Sequence, residues 1–576
     1  MSQSRFANWL EMDDDKLFFW HHTPKKNSKT IAVVIIGPVG PEYMHCFRSI
    51  KYLAEKLAQS GHHCIRYDPI GMGNSSGILE SNGIWQKWVK SPIMFTEYFK
   101  SKLDIDDIVF IGLRSGCLVL AESLKKVQLK AAVFWYPYTR GAAFIRDIQI
   151  IDSILINESN TSKGKTLEGG GYPLTEELQI SIKKLNLLAD EYTNIQDSLV
   201  IESKETTSKS KLYAKINDSE ANVESIFLDG LDAMTKQAAI SKIPHDNITI
   251  IDDWINKLSI SKTDVIKSYI NEQKSNVNKD FKESTLVIDD KNTIFSVLTT
   301  PIINSNDTIV IIVNSGSAHH VGPNRFHVDT ARALAKKGIS TLRIDISNLG
   351  ESSENYEQDA NHPYPEEAPD DINLTVNYIA EHYSYKNIIL CGLCSGAHNI
   401  FHAALSSSND NLKKIIIINP LTFYWKTGQS IFAPEDHQTE IEEVYYQKQM
   451  YSYKKWVKLI TNPEKIFNII HFLFLFSIKK IKSLWAKFKT MLHIQANSVL
   501  ENDIEKLGGE GISISLIYSK DDPGQKILMS SASGIIKKHS ELNIYTSTMI
   551  TDADHTFSSR KSRKKLLEAI INTIIE

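Results

Sequence analysis

The chain has 576 residues, a formal net charge of −3 at pH 7 and 42% hydrophobic residues. A chain this long exceeds what a single hydrophobic core supports, so we expect two or three domains. The near-neutral charge supplies no basic field for nucleic acid, and we predict no nucleic-acid partner.

The number of cysteines and the length of the apolar runs indicate the cellular compartment in which we expect the protein. There are five cysteines, and an odd number argues against a disulfide framework and favours a reducing cytoplasm. Residues 1–26 show no signal-peptide pattern, and no apolar run reaches the roughly 18 residues that a membrane-spanning helix needs. The sequence contains no metal-spaced His/Cys cluster and no GxxxxGK[ST] loop, so we predict neither a metal nor another cofactor.

In the first half, apolar β-rich runs alternate with helical segments. We predict strands near residues 31–37, 63–68, 108–112 and 131–136, a pattern typical of a parallel, doubly wound sheet. The third strand opens into Gly112-x-Arg114-x-Gly116, a sharp turn into a helix with arginine at its centre. Arginine stays protonated at neutral pH and is no nucleophile.

The later strands of this half, near 198–202 and 225–228, are followed by no suitable histidine, because the loop from Asp229 to Met234 contains none. His245 lies further on beside a proline, and we expect it in a surface loop. We therefore predict a hydrolase-like fold that lacks a catalytic triad.

Several motifs of residues 30–240 resemble those of the exosortase-A-associated α/β-hydrolases, which occur in exopolysaccharide gene clusters and share the arginine at this turn. The motifs are Gly37-Pro38 with Glu42 and Arg48, the run from Tyr67 to Gly77, Gly112-Leu113-Arg114-x-Gly116, and Gly171-Tyr172-Pro173-Leu174. The resemblance implies the fold more firmly than an activity.

A polar segment separates the halves. We predict a first domain over 1–260, a linker over 261–280 and a second domain over 281–576. The second half repeats the element order of the first: a glycine-terminated strand, a helix, a strand ending in Asp345-x-x-x-x-Gly350, a helix and a second elbow. This order indicates an internal duplication of domain size.

The second elbow reads Gly392-Leu393-Cys394-Ser395-Gly396 after an apolar strand. It matches a nucleophile elbow with cysteine in place of serine. The helix N-terminus that follows favours a thiolate at Cys394. Two alternatives remain open: a small buried cysteine after a glycine turn, and a redox pair with Cys391 in a CxxC.

An acid and a histidine follow in the chain order that this fold requires. Asp521 and Asp522 come directly after a strand near 512–519, and His555 comes after a strand near 542–550. We predict Cys394, Asp522 and His555 as a catalytic triad, and prefer Asp522 because an Asp-Pro-Gly turn fixes its carboxylate. The alternative is a turn histidine paired with Asp552 or Asp554.

Stabilising an oxyanion requires two N–H donors. We predict the N–H groups of Ser395, directly after the nucleophile, and Ser317, in the loop after the first long strand. The neighbouring His319 and His320 have two candidate roles, lining the pocket or shaping the loop.

These motifs of residues 284–576 resemble bacterial α/β-hydrolases of the serine-aminopeptidase-like group that carry a cysteine elbow. By analogy, dienelactone hydrolase uses a Cys-Asp-His triad on this fold. The resemblance implies acyl transfer from an ester or thioester through an acyl-cysteine. The fold class that we predict is α/β, with two tandem α/β-hydrolase domains, and the rival function is a non-catalytic binding or scaffold protein.

An insertion over about 421–510 falls where such hydrolases carry a lid. It is aromatic and basic, and its run 466–478 is almost entirely apolar. We expect either a lid helix buried on the core or an interfacial helix that meets a membrane surface or a lipid-like acyl chain. The predicted partners are therefore a small-molecule or lipid-like acyl substrate and, peripherally, the inner membrane, with a homo-oligomer as a further expectation.

Overall fold

The computed structural model describes residues 5–24, 31–158, 166–203, 210–219, 221–259, 274–288, 294–303, 305–352, 361–426, 498–520 and 522–575. Within these ranges the chain forms two large β-sheets. The first is drawn from residues 5–228, and the second from residues 276–550. We call the two parts the first and second units.

The first unit contains ten strands, which are β1 (Arg5–Met12), β2 (Asp15–His22), β3 (Ile31–Ile36), β4 (His63–Tyr67), β5 (Asp107–Leu113), β6 (Leu129–Trp135), β7 (Leu167–Gly169), β8 (Tyr172–Leu174), β9 (Ile195–Ser203) and β10 (Asn222–Leu228). Eight of them form a sheet in the order β1-β2-β4-β3-β5-β6-β9-β10. β1 and β2 are antiparallel to each other, β2 is antiparallel to β4, and the remaining neighbours are parallel. β7 and β8 form a separate hairpin.

The strands of the second unit are β11 (Asn276–Val277), β12 (Phe281–Val287), β13 (Phe295–Pro301), β14 (Thr308–Ile312), β15 (Ser340–Ile344), β16 (Asn387–Leu393), β17 (Leu412–Ile418), β18 (Ser513–Ser519) and β19 (Tyr545–Ile550). Their order is β11-β12-β13-β15-β14-β16-β17-β18-β19. After the short edge strand β11, this order matches that of the first sheet strand for strand. In both sheets the third and fourth strands are exchanged relative to the chain, which is the topology of the α/β-hydrolase fold.

Helices cover both faces of the sheets, as a parallel sheet requires. In the first unit they are α1 (Glu42–His45), α2 (Phe47–Gln59), α3 (Ile84–Leu103), α4 (Gly116–Leu124), α5 (Gly141–Glu158), α6 (Glu176–Lys183), α7 (Lys211–Asn217), α8 (Leu231–Thr235) and α9 (His245–Lys257). In the second unit they are α10 (Phe326–Ala335), α11 (Ala368–His382), α12 (Ser395–Ser406), α13 (Val499–Gly509), α14 (Gly524–Glu541) and α15 (Arg560–Ile575). The central strands β3 and β16 are accordingly apolar and almost wholly buried.

The two units pack against each other through equivalent residues. Arg66 and Arg343 are each the fourth residue of a five-residue strand, β4 and β15. Arg66 donates to both carboxylate oxygens of Glu351 in the other unit at 2.6 Å, and Arg343 donates to Oδ1 of Asn74 at 2.9 Å. Asn74 and Glu351 are themselves equivalent, since each follows the glycine of a matching Asp-to-Gly turn. The contact is therefore reciprocal, like the isologous interface of a homodimer.

An apolar cluster also joins the units. Trp9, Phe18 and Trp20 of the first hairpin pack with Phe295 and Val297 of β13. Burying aromatic rings is favourable by about 25 cal/mol per Å² of apolar area, so this cluster stabilises the docking of the two units.

Some sequence expectations need correction or lie outside the described residues. The hairpin β1–β2 was not predicted, and His245 begins α9 instead of lying in a loop, with its ring 4.8 Å from that of Tyr52. Within the range predicted as linker, residues 276–277 form β11. Of the predicted lid insertion, 427–497 lie outside the described residues, including the apolar run 466–478. Among the described helices, none combines the length and hydrophobicity needed to cross a membrane.

Candidate active site

Cys394 occupies a strained turn between β16 and α12. Its backbone has φ 58° and ψ −116°, a conformation that side chains other than glycine rarely adopt. A Cβ on Gly392 would lie 2.3 Å from the carbonyl carbon of Gly396, and one on Gly396 would lie 2.5 Å from the Asn314 oxygen. Only glycines allow this close approach, so the Gly-x-Cys-x-Gly spacing produces the elbow directly.

Cys394 differs from the other cysteines in exposure. All five lie within the described ranges, and Cys394 is the one that is not buried. Burial raises the pKa of the Cys391 thiol to about 12. This buried, hard-to-ionise thiol is a poor partner for the redox alternative, because thiol–disulfide exchange requires a thiolate.

The structure brings Asp522 and His555 together. The parallel strands β18 and β19 end side by side, and the loops that follow them place Nδ1 of His555 2.5 Å from Oδ2 of Asp522. The Asp522 side chain is buried, and its Oδ1 accepts from the Gly524 N–H at 3.0 Å within the Asp-Pro-Gly turn. Asp521, the alternative acid, lies outside the described residues.

The other carboxylates near His555 have different partners. Asp554 accepts from the backbone N–H of Ser558 at 2.7 Å, and Asp552 lies within 4.0 Å of Lys561 and Lys565. The alternative of a turn histidine paired with Asp552 or Asp554 is therefore not the arrangement in the structure.

The environment of His555 favours its protonated form. Burial opposes the charge, but the neighbouring Cys394 and Asp522 side chains outweigh it and raise the pKa of His555 well above its usual value. Nε2 of His555 is buried and has no hydrogen-bond partner among the described residues. This arrangement leaves Nε2 available to exchange a proton with the Cys394 thiol, while Nδ1 is held by Asp522.

Asn419, which the sequence reasoning missed, holds the histidine in place. It directly follows β17 with φ 42°, and its Nδ2 donates to the His555 carbonyl at 2.7 Å. Its Oδ1 accepts from the Ser519 N–H at 2.8 Å. One buried amide thus ties the ends of two strands to the histidine, and Asn419-Pro420 directly after an apolar strand is a signal by which the sequence could have found it.

The loops of the predicted oxyanion hole lie next to each other. Gly316 N–H donates to Oγ of Ser395 at 3.0 Å, and Oγ of Ser317 donates to the Asn361 carbonyl at 2.6 Å. No described atom lies within 4 Å of the position that a Cβ on Gly316 would take. The space beside this loop is therefore open, and the roles of the Ser317 and Ser395 N–H groups stay a prediction.

Tyr364 is a further residue at the site that the sequence reasoning missed. Its ring stacks on Trp425 with a centroid distance of 4.3 Å, and its hydroxyl is buried without a hydrogen-bond partner in the described part of the chain. Burial, and then the Cys394 charge, raise the pKa of Tyr364. The residue thus places a neutral O–H near the cysteine, and no motif around residues 361–367 signals it.

His319 and His320 belong to the boundary between the units. Nδ1 of His320 lies 2.7 Å from Oδ2 of Asp345, and its Nε2 lies 3.0 Å from Nδ2 of Asn74 in the first unit. The His319 ring stacks on Phe47 at 4.1 Å. Of the two roles predicted for them, these contacts fit shaping the loop.

The comparisons with known proteins give the following. No protein-family model and no curated protein matches the chain. Solved structures that are similar include Est1E from Butyrivibrio proteoclasticus, with 14% identity, TM-score 0.29 and coverage of 50% of this chain and 97% of that one. Dienelactone hydrolase from Anabaena variabilis has 9% identity, TM-score 0.30 and coverage of 51% and 96%.

An α/β serine hydrolase homologue from Coxiella burnetii is similar to the same extent, with 12% identity, TM-score 0.29 and coverage of 53% and 99%. Because the TM-scores are near 0.3, the fold assignment rests on the strand order of the two sheets and not on these similarities.

Proposed function

We propose that the second unit is a hydrolase or acyltransferase that acts on an ester or thioester through an acyl-cysteine on Cys394. The observation that carries this proposal is the pairing of His555 with Asp522 at 2.5 Å, with Nε2 of the histidine unpartnered among the described residues beside an elbow cysteine.

The reaction has two halves. His555 takes the proton of the Cys394 thiol, and the sulfur attacks the acyl carbon to give a tetrahedral oxyanion. When the C–O or C–S bond of the substrate breaks, the imidazolium gives its proton to the leaving group. Water or an alcohol then attacks the thioester, His555 removes its proton, and the acyl group leaves Cys394 as an acid or a new ester.

The neighbouring residues have supporting roles in this proposal. Asp522 holds the imidazole tautomer and stabilises the imidazolium. The N–H groups of Ser317 and Ser395 receive the oxyanion, and each such donor is worth about 3 kcal/mol of transition-state stabilisation in enzymes of this type. The Tyr364 hydroxyl is a further donor at the same place.

The class of acyl group is a proposal that rests on the composition of the insertion. We propose a lipid-like acyl chain that contacts the apolar run 466–478, which lies outside the described residues. A series of p-nitrophenyl esters from acetyl to long chains tests this: a variant with that run made polar should lose activity on long chains and keep it on acetyl. Equal loss on both substrates contradicts the proposal.

Mass spectrometry of the trapped intermediate tests the mechanism. With p-nitrophenyl acetate or an acyl thioester as substrate, an adduct should map to the peptide containing Gly392–Ala397 and be removed by neutral hydroxylamine. Fragmentation must place it on Cys394 and not on Cys391, three residues earlier. An adduct on another residue, or undiminished turnover in Cys394→Ala, contradicts the acyl-cysteine mechanism and favours the alternative of a non-catalytic binding protein.

A further inference from the structure

The loop that carries His555 touches the first unit directly. Residues 551–559, which we call the histidine loop, lead from β19 into α15. Arg563 in the first turn of α15 donates through Nη1 to the Ser558 carbonyl and through Nη2 to the Gly171 carbonyl, the latter at 2.6 Å. A single guanidinium therefore links the histidine loop to the hairpin β7–β8 of the first unit.

Gly171 fits this contact closely. Its φ is +88°, and a Cβ there would lie 2.5 Å from the Ser558 oxygen, 2.6 Å from Nη1 of Arg563 and 2.6 Å from Nδ2 of Asn324. Any side chain would push the hairpin away from the loop. Glu168 of the same hairpin accepts from the Arg560 N–H, the first of α15, at 3.1 Å, where a carboxylate favours the helix N-terminus. The close approach gives a structural reason for the glycine that begins the motif Gly171-Tyr172-Pro173-Leu174.

The contact at Ser558 is transmitted to the histidine through one short turn. The Ser558 N–H donates to Oδ1 of Asp554 at 2.7 Å, and the Phe557 N–H donates to the Asp554 carbonyl at 3.2 Å. Phe557 is fully buried and has φ 51°. Residues 554–558 thus form one hydrogen-bonded turn that includes His555. Because the turn is held together in this way, we expect a shift of Ser558 to move the His555 imidazole as well.

A second contact reaches the opposite side of the site. Asn361 donates through Nδ2 to the Ala238 carbonyl of the first unit at 2.5 Å. The carbonyl of Asn361 accepts from Oγ of Ser317 at 2.6 Å. The first unit is therefore hydrogen-bonded to a residue that fixes the predicted oxyanion loop, independently of the hairpin.

We infer that the first unit positions the proposed catalytic loops of the second unit. Arg563 and Gly171 are the positioning residues for His555. Ala238 and Asn361 have the same role at the predicted oxyanion loop. The inference rests on the proposed function of the second unit. In this inference the first unit, whose elbow carries an arginine, affects the rate by holding the catalytic groups of the second unit in place. A misplacement of about 1 Å at a catalytic group lowers the rate about 10²-fold.

Arg563→Gln tests the inference against a matched control, Arg560→Gln, on the same helix. The Arg560 side chain is half-exposed and pairs with Glu80 of the first unit at 2.8 Å, whereas Arg563 donates to the Ser558 carbonyl of the histidine loop. Arg563→Gln should lower kcat about 10²-fold with KM unchanged, and Arg563→Lys, which keeps the charge, should recover part of it. Arg560→Gln should behave as wild type.

Two further readouts separate positioning from general stability. Amide hydrogen exchange over 551–559 should accelerate in Arg563→Gln and not in Arg560→Gln, while the melting temperature of both stays near that of wild type. Equal kcat in the two variants, or a loss of kcat that only follows a lower melting temperature, overturns the inference.

Failure of the proposed function gives a different pattern. If wild type and His555→Ala are alkylated by iodoacetamide at Cys394 at the same rate, His555 does not activate the cysteine and the proposed function fails. The positioning contact is then judged by hydrogen exchange alone: faster exchange over 551–559 in Arg563→Gln supports it, and unchanged exchange overturns it.

Discussion

The two elbows of this molecule have the same backbone and different chemistry. Arg114 has φ 55° and Cys394 has φ 58°, and each lies between a buried strand and a helix. The serine after each one accepts from a loop N–H at 3.0 Å, Ser115 from Val39 and Ser395 from Gly316. The strained turn has therefore been kept in the unit that carries no nucleophile.

What differs is the set of partners around the central residue. The Arg114 guanidinium donates to Glu42 at 3.0 Å and to the Tyr138 hydroxyl at 2.6 Å, so that its charge is neutralised inside the first unit. The loop that follows β10, from Asp229 to Met234, contains no histidine. Elbow geometry is thus common to both units, whereas the acid and the histidine that our proposed reaction uses, Asp522 and His555, follow later strands of the second unit.

Removing the sulfur should have the largest effect. Cys394→Ala should reduce turnover to the uncatalysed background, because the proposed acyl intermediate forms on the sulfur that this change removes. Cys394→Ser should keep part of the activity, because the same elbow serves serine enzymes. Hydrolysis of p-nitrophenyl acetate measures both, and full activity in Cys394→Ala would show that the two elbows are equally inert.

The second prediction concerns the acid that distinguishes the second unit. Asp522→Asn should lower kcat about 10³–10⁴-fold, since the amide favours the wrong imidazole tautomer. Asp552→Asn is the matched control in the histidine loop and should leave kcat unchanged, because Asp552 faces lysines. The same kcat in both variants would argue against the assignment of Asp522.

The reciprocal contacts between the units should differ in strength. Burial opposes the charge of Glu351, but Arg66 outweighs it and lowers the pKa of that carboxyl to about 2. Glu351→Ala leaves the buried Arg66 guanidinium without its carboxylate partner, with the neutral His22 ring still accepting from Nε, and should cost about 3–5 kcal/mol of unfolding free energy. Asn74→Ala, at the equivalent position opposite Arg343, should cost about 1.5–3 kcal/mol.

Urea denaturation measures both interface variants. Glu11→Ala is the control, because this exposed carboxylate pairs with Lys16 at the surface and should change stability by less than about 1 kcal/mol. If Glu351→Ala and Glu11→Ala unfold at the same urea concentration, the buried pair does not stabilise the docking of the units.

Acid should destabilise both units through buried histidines. Burial and, as a smaller effect, the neighbouring His62 lower the pKa of His63 to about 4. Burial and, as a smaller effect, the neighbouring His320 lower the pKa of His319 to about 3. Between those pKa values and pH 6.5, each of these histidines is protonated in the unfolded chain and neutral in the folded one. Its contribution to the unfolding free energy is therefore fully present above pH 6.5 and falls by about 1.4 kcal/mol per pH unit as the pH decreases.

Unfolding free energies between pH 7 and pH 5 measure this slope. His319→Phe should flatten it while keeping the ring stack on Phe47, whereas His382→Gln, at an exposed position of α11, should leave it unchanged. A flat curve in wild type contradicts the prediction.

The smallest effect is expected at the first elbow. Arg114→Ala should leave turnover unchanged in a folded protein, because the Arg114 guanidinium is no nucleophile and is paired with Glu42 and Tyr138. Steady-state kinetics with melting curves measures it. Loss of activity at an unchanged melting temperature would mean that the first elbow, and not the second, contains the site.

The sequence by itself determined the α/β class, the internal duplication and the candidates Cys394, Asp522 and His555. Each of these leaves a local signal, such as glycines two residues to either side of a strained position, or a polar residue directly after an apolar strand. Because parallel strands end at one edge of a sheet, chain order alone was enough to predict that Asp522 and His555 would meet.

The tertiary structure alone decided how the two units support one another. Arg66 meets Glu351, and Gly171 meets Ser558 of the histidine loop, across segments far apart in the chain. Such contacts depend on how two finished sheets dock, and no periodicity or spacing within either unit encodes that arrangement. The positions that fix the catalytic loops therefore became visible only once both units were folded together.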